Sequence, residues 1–198
     1  MEIIPYTSIS NDKDKPRDDI TVLSGYDKFQ SPVYNAKIYK ILPHKFLDCD
    51  ISIWMDGNIY LNIPKEQAVE EWLKDYDIAF FRHYKSKNID WELKWIKYKF
   101  NRRSEIYLEA IRQGEHYKDL DIKKEEMAMG GFIIRRHTPI VDRFNEAWWA
   151  EICRWGQRDQ LSLPAVLRRF PELKVNRIDL DIKNCPQLKY EDHNHYLT

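Results

Sequence analysis

One stretch constrains this chain more than any other: Asp50-Ile51-Ser52-Ile53-Trp54-Met55-Asp56-Gly57-Asn58-Ile59-Tyr60-Leu61. An apolar run reaches an acid, a glycine interrupts it, a second oxygen-bearing side chain follows, and the apolar run resumes. Residues 51–55 have the length and character of a buried strand. Asp56 then falls at the strand's carboxyl end, where open α/β sheets place their ligands. Gly57 permits a sharp turn or a close approach to a ligand. Asp56 and Asn58, two residues apart, direct oxygens to one side of that turn. Two hard oxygen ligands with several positions left open suit Mg²⁺ or Mn²⁺ held against a diphosphate. The same residues also read as an Asp-Gly or Gly-Asn hairpin turn, which needs no metal.

The chain around this stretch is 198 residues long, enough for one domain (residues 1–198) that buries a core without disulfide or zinc staples. A hydrophobic content of 43% with seven tryptophans argues against disorder. Thirty-two basic residues balance 32 acidic ones, so bulk attraction to nucleic acid or to an acidic membrane is not expected. Cys49, Cys153 and Cys185 are odd in number and lack CxxC spacing, which suits a reducing compartment. Residues 1–5 carry no basic n-region or apolar h-region. No run approaches the roughly 20 apolar residues that span a bilayer. The expectation is a cytoplasmic protein with no transmembrane segment.

Residues 3–9 read as a first strand that runs into a polar loop, 10–19, and residues 20–24 as a second strand ended by Gly25. Ser31-Pro32 opens a helix, with serine at the N-cap and proline in the first turn. Lys37 and Lys40, three apart, share one side of it. They either reach a diphosphate or form a solvated face. Residues 64–74 read as a helix and 77–81 as the next strand, with Arg82 and His83 at its end. Residues 90–114 read as one amphipathic helix stopped by Gly114. Its basic section, 97–103, could pass for a nucleic-acid stripe, which the balanced charge disfavours.

Gly130 and Gly131 lead into a strand and allow close backbone approach to some other group. Thr138-Pro139 starts a helix whose Val141, Phe144, Trp148, Trp149 and Ile152 read as core. Asp159-Gln160 begins a further helix, placing a carboxylate and an amide in its first turn. Residues 173–178 read as a last strand, and the tail carries His193 and His195.

Taken in order, these elements resemble a GT-A glycosyltransferase, and more closely the glycosyltransferase-like family of plant mucilage and turgor proteins. The resemblance rests on Lys40-Ile41-Leu42-Pro43-His44-Lys45, Ile53-Trp54-Met55-Asp56-Gly57-Asn58-Ile59, Arg135-Arg136-His137-Thr138-Pro139, Trp148-Trp149-Ala150-Glu151 and Arg158-Asp159-Gln160-Leu161-Ser162. A more distant similarity is to glycogenin-like retaining transferases. Their Asp-x-Asp falls on Asp56-Gly57-Asn58, their Asp-Gln pair on Asp159-Gln160, and their late histidine on His193 or His195. Asn58 stands where that family has an acid, and the Gly-Lys-Pro-Trp tail is absent.

The resemblance implies an α/β fold of the GT-A, Rossmann-like kind, with a central mixed sheet flanked by helices. It implies a metal-dependent transferase that moves a sugar from a nucleotide diphosphate, a UDP-sugar, to a glycan or other hydroxyl acceptor, with retention favoured. Asp56, Asn58 and His193 or His195 would hold Mn²⁺ or Mg²⁺. Tyr6 and Thr7 would line the base, and Lys37 or Lys40 would assist the diphosphate. Asp159 and Gln160 would face the anomeric carbon. Arg82, His83, Gly130 and Gly131 would shape the sugar and acceptor side. Two other classes compete: a non-catalytic carbohydrate- or nucleotide-binding module on the same scaffold, and an RNA binder using residues 97–103.

Overall fold

The computed structural model describes residues 1–9, 16–120, 122 and 125–191. Its strands are β1 (Ile3–Thr7), β2 (Thr21–Val22), β3 (Ile51–Met55), β4 (Ile59–Leu61), β5 (Ile78–Arg82), β6 (Ala128–Arg136), β7 (Val175–Ile178) and β8 (Leu188–Tyr190). Six of them form one sheet in the order β2-β1-β3-β6-β5-β7. β1 pairs parallel with β2 and β3, and β5 parallel with β7, while β6 runs antiparallel between β3 and β5. This is the mixed sheet that the family resemblance implies. The carboxyl ends of β1, β3 and β5 therefore share one edge of the sheet with the start of β6. That edge brings Asp56 beside the paired glycines: Met55 is in register with Phe132, and the Asp56 amide donates to the Gly131 carbonyl at 2.8 Å.

Strand alternation divides the core between two faces. Ile51, Ile53 and Met55 pack on one side with Ala79, Phe81, Phe132 and Ile134. Helix α2 (Lys65–Ala68), continued by a π-helical turn at Val69–Leu73, covers that side with Ala68, Val69, Trp72 and Leu73. On the other side Trp54, Ile78, Phe80 and Ile133 meet α1 (Pro32–Ile41), α5 (Pro139–Trp155) and α6 (Asp159–Leu167). The stripe Val141, Phe144, Trp148 and Ile152 is fully buried, each side chain contributing about 2 kcal/mol by leaving water.

Two expectations are corrected. Residues 90–114 form two helices, α3 (Ile89–Lys99) and α4 (Glu105–His116), and not one. Ser104 restarts the helix by accepting the Tyr107 amide on its hydroxyl, and Asn101 turns the chain before it. Gly114 lies inside α4, where a Cβ would come within 2.5 Å of Leu93, so it serves the α3–α4 crossing and not a helix stop. The basic section 97–103 is consequently divided by the break. The turn after Asp56 is also no simple hairpin, because β4 leaves the sheet to pair with β8, a strand the sequence reading did not anticipate.

Candidate active-site cleft

Helix α1 delivers the two lysines, and its last turn is fixed from beneath. Arg135 of β6, fully buried, donates to the carbonyls of Lys40 at 2.9 Å and Ile41 at 3.3 Å and to Asn145 Oδ1 at 2.8 Å. The Tyr6 hydroxyl donates to the carbonyls of Tyr39 and Lys40 at 3.2 and 3.4 Å. Carbonyls that a helix end leaves open are thus met by a cation and a phenol of the sheet.

Held in this way, Lys37 and Lys40 both reach Asp159, the first residue of α6. Lys37 Nζ lies 2.9 Å from Oδ1 and Lys40 Nζ 2.7 Å from Oδ2, with all three side chains largely buried. Burial by itself would raise the Asp159 pKa, but the two ammonium groups overcome it and hold the carboxyl far below the usual carboxylate range. Burial also pushes Lys37 down, whereas Asp159 and Asp56 together outweigh burial at Lys40 and raise it. Trp148 of the buried stripe anchors the same helix start, its indole nitrogen donating to the Asp159 carbonyl at 3.1 Å.

Across the floor of the cleft stands Asp56. Trp54, two residues back on the same face of β3, donates its indole nitrogen to Oδ1 at 2.8 Å. The floor is made by the paired glycines, where a side chain would crowd the charged groups, more severely at Gly130 than at Gly131. A Cβ on Gly130 would lie 2.8 Å from Lys40 Nζ and 2.9 Å from Asp159 Oδ2. One on Gly131 would lie 3.2 Å from Asp56 Oδ2. The close approach expected of these glycines is therefore to the charged groups of the site. The resulting cleft, about 410 Å³, is lined by Ser8, Lys37, Lys40, Trp54, Asp56, Gly130, Gly131, Arg158, Asp159, Gln160 and Tyr190, among others. Its size suits a small ligand.

Other expected residues lie elsewhere. Tyr6 and Thr7 are fully buried, still inside the sheet, and do not line the cleft; Ser8, the next residue out, does. Asn58 is also buried, and its amide nitrogen donates to the Glu191 carbonyl at 2.7 Å. It ties the end of β8 to the Asp56 turn and is not among the residues lining the cleft. Arg82 pairs with Asp179 at 3.1 Å and Glu126 at 3.5 Å, and His83 Nδ1 accepts the Ser86 amide at 2.8 Å. Both line a separate depression with Tyr84 and Lys87. His193 and His195 lie outside the described residues.

Sequence reasoning missed two contributors. Arg17, read as part of a polar loop, is buried and clamps the Asp56 turn. It donates to the carbonyls of Gly57 at 3.2 Å and Ile59 at 2.9 Å, grips Asp19 with two nitrogens, and lies 4.1 Å over the Tyr60 ring. Nothing local in the sequence marks an arginine whose carbonyl partners lie 40 and 42 residues away. Arg158 lines the cleft and donates to Gln160 Oε1 at 3.0 Å.

Among the described residues no group of three or more His, Cys, Asp or Glu side chains is placed to hold a metal ion. One carboxylate at an open strand end still fits Mg²⁺ or Mn²⁺, since such ions take much of their coordination from substrate phosphates and need few protein ligands. Asp56 meets that requirement: Trp54 orients Oδ1, and Oδ2 faces the glycine floor.

A strand-end acid facing buried lysines across a glycine floor defines the class as an α/β domain with a charged cleft at its sheet edge. The sequence narrows this further: the chain belongs to the family described as TOD1/MUCI70, glycosyltransferase-like domain, which matches residues 20–190. It is 29% identical over 141 residues to "Probable hexosyltransferase MUCI70" of Arabidopsis thaliana, a match covering 67% of this chain. The chain spans 24% of that relative's length. Among solved structures it is similar to mouse xyloside xylosyltransferase 1 in its apo form, at 13% identity and a TM-score of 0.45, covering 78% of this chain and 55% of that one. No helix among the described residues is long and apolar enough to cross a membrane.

Proposed function

We propose that this chain is a glycosyltransferase that moves a sugar from a UDP-sugar to the hydroxyl of a glycan or other acceptor, with retention at the anomeric carbon. The observation that carries the reading is the placement of Asp56 at the end of β3, opposite the buried Lys37–Asp159–Lys40 cluster and over two glycines that leave the cleft open. Asp56 would hold Mn²⁺ or Mg²⁺ together with the donor's phosphates and His193 or His195. Bound there, the ion offsets charge on the departing diphosphate. Lys37 and Lys40 border the same space, and their ammonium groups stabilise developing negative charge without reorganising.

The state of Asp159 supports retention. A carboxylate gripped by two ammonium groups is too weak a base to deprotonate an acceptor hydroxyl. In a retaining transfer none is needed. The bond from the anomeric carbon to the phosphate oxygen breaks, the acceptor oxygen bonds to the same face, and the acceptor's proton passes to the departing phosphate oxygen. Asp159 then fixes the lysines and places the negative end of a buried pair near the positive sugar ring.

Incubation with UDP-glucose, UDP-galactose or UDP-xylose and Mn²⁺, with UDP release as the readout, tests this. Release from at least one donor that disappears in Asp56→Ala is expected. Tight binding of the donors without any release, even with acceptor glycans added, would instead assign a non-catalytic binding module.

A further inference from the structure

A cavity of about 530 Å³, larger than the cleft, lies at the other end of α6. Asp159 opens that helix in the cleft, whereas Ala165 near its end and Arg168 and Arg169 just beyond it border the cavity. The carboxyl ends of α4 and α5 supply other walls, His116 from the first and Glu151 and Arg154 from the second. Glu151, the acid of the Trp-Trp-Ala-Glu stretch, is 8% exposed. Its Oε1 accepts the Tyr117 hydroxyl at 2.9 Å and the Trp155 indole nitrogen at 3.0 Å, and its Oε2 lies 3.7 Å from Arg169 Nη2.

Three guanidinium groups thus border one space. Among the described residues that line it, Glu151 is the one acid, in a chain whose 32 basic and 32 acidic residues balance. A single cation at a helix carboxyl end is ordinary, because it offsets the helix dipole. Here the cations of two helix ends converge. Arg154 follows Glu151 by three residues on α5 and so shares its face, which Arg169 approaches from α6. The guanidinium of Arg154 lies 5.1 Å from the Trp155 ring centre, and that ring stacks with His116 at 4.5 Å. Arg168 and Arg169 are tethered, donating to the carbonyls of Leu120 at 2.8 Å and Ala147 at 3.4 Å. Cations held close together repel, and a doubly charged anion between them relieves that repulsion. The planar guanidinium fork matches phosphate oxygens two at a time. Leu120, the fully buried Ile122 and Ala165 add an apolar wall beside these charges.

We propose that this cavity is a second ligand site, separate from the cleft, that takes a small organic phosphate. The phosphate would sit between Arg154 and Arg169 with Arg168 at its flank, and the organic body would lie against Leu120, Ile122 and Ala165. The proposal goes beyond the transferase reading and does not depend on it.

Titration calorimetry in chelator, with inorganic phosphate and phenyl phosphate as probes, tests the site. Wild type is expected to bind phenyl phosphate about tenfold more tightly than inorganic phosphate, the gain coming from burial of the ring. Arg154→Gln and Arg169→Gln should each weaken phenyl phosphate by about tenfold, and Arg154→Lys should recover part of the loss. Arg154 is exposed, so its variants test the site even if Arg169→Gln loses folded protein. Thermal melts of each protein with and without phenyl phosphate give a second readout in which any change in intrinsic stability cancels: the ligand should raise the midpoint of wild type more than that of Arg154→Gln. Phenyl phosphate affinity unchanged in Arg154→Gln and Arg169→Gln would place the anion at the cleft lysines and overturn the inference. Equal affinity for the two probes, or no binding of either in the millimolar range, would also overturn it, and each of these outcomes leaves the transferase reading standing.

Discussion

The Trp54 indole nitrogen donates to Asp56 Oδ1 at 2.8 Å, so the side chain that plugs the core on one side of β3 also aims the acid at its end. Trp54 is 5% exposed and meets the Tyr6 ring edge-on at 5.3 Å, so its indole has little freedom to turn. Trp54→Phe keeps most of the packing and deletes the donor. A hydrogen bond to a charged group contributes about 1.5 kcal/mol, roughly tenfold in an equilibrium constant. Mn²⁺-dependent UDP affinity should fall by about that factor with the urea midpoint little changed, a combination read by calorimetry and chemical denaturation on the same sample.

Adding one methyl group to the floor should separate the two halves of the site. Gly130→Ala would press on Lys40 Nζ and Asp159 Oδ2 at 2.8 and 2.9 Å, whereas Gly131→Ala meets Ile59 and Asp56 Oδ2 at 3.0 and 3.2 Å. Overpacking of this kind costs about 1–3 kcal/mol. Gly130→Ala should show the larger drop in thermal midpoint and abolish donor turnover, and Gly131→Ala should act mainly on the response to metal.

Acid should weaken the Asp159 cluster in a defined direction. The carboxyl pKa is held below its unfolded value by the two lysines, so its contribution is complete above about pH 4 and declines as pH falls further. Asp159→Asn strands two buried ammonium groups, a change that costs about 3–5 kcal/mol at neutral pH. The gap in unfolding free energy between wild type and variant should be widest near pH 7 and narrow below about pH 4. A gap that stays constant down to pH 2 would mean the lysines do not hold this carboxylate.

A second acid effect lies at higher pH. Burial, reinforced by the Arg135 and His44 charges, pushes the His137 imidazole down to about 4 from 6.5. The unfolded chain takes up this proton first, so stability falls as pH drops from about 6.5 toward 4. His137→Gln should flatten the stability curve across that window, measured by urea unfolding at half-unit steps.

Much of this was legible in the residues. Ser31-Pro32, the apolar run into Asp56, the paired glycines and Asp159-Gln160 each carry a local signature, and each stands where that signature places it. What was not legible depends on long-range partners. Nothing near Arg17 announces the carbonyls of Gly57 and Ile59, and nothing near Asn58 announces Glu191. Tyr6 was misread because a tyrosine at a strand end looks the same in sequence whether its ring faces a ligand or a core. Residues 90–114 kept a continuous helical pattern across a break that Ser104 and Asn101 impose.

Arg17 gives the clearest test of such a hidden contact. Arg17→Ala leaves two turn carbonyls without their donor and Asp19 without its partner. A loss of about 2 kcal/mol in stability is expected, with weaker metal-dependent UDP binding, because the Asp56 turn loses its clamp. Circular dichroism melts paired with calorimetry would show both changes in the same protein.

On this reading, Asp56 and a divalent ion together seat a nucleotide diphosphate in the cleft. It is tested most directly by titrating UDP into wild type and Asp56→Asn, each in Mn²⁺ and in chelator. Mn²⁺ is expected to tighten UDP binding to wild type by tenfold or more and to give no such gain in Asp56→Asn. Equal UDP affinity in Mn²⁺ and in chelator for the wild-type protein would contradict it.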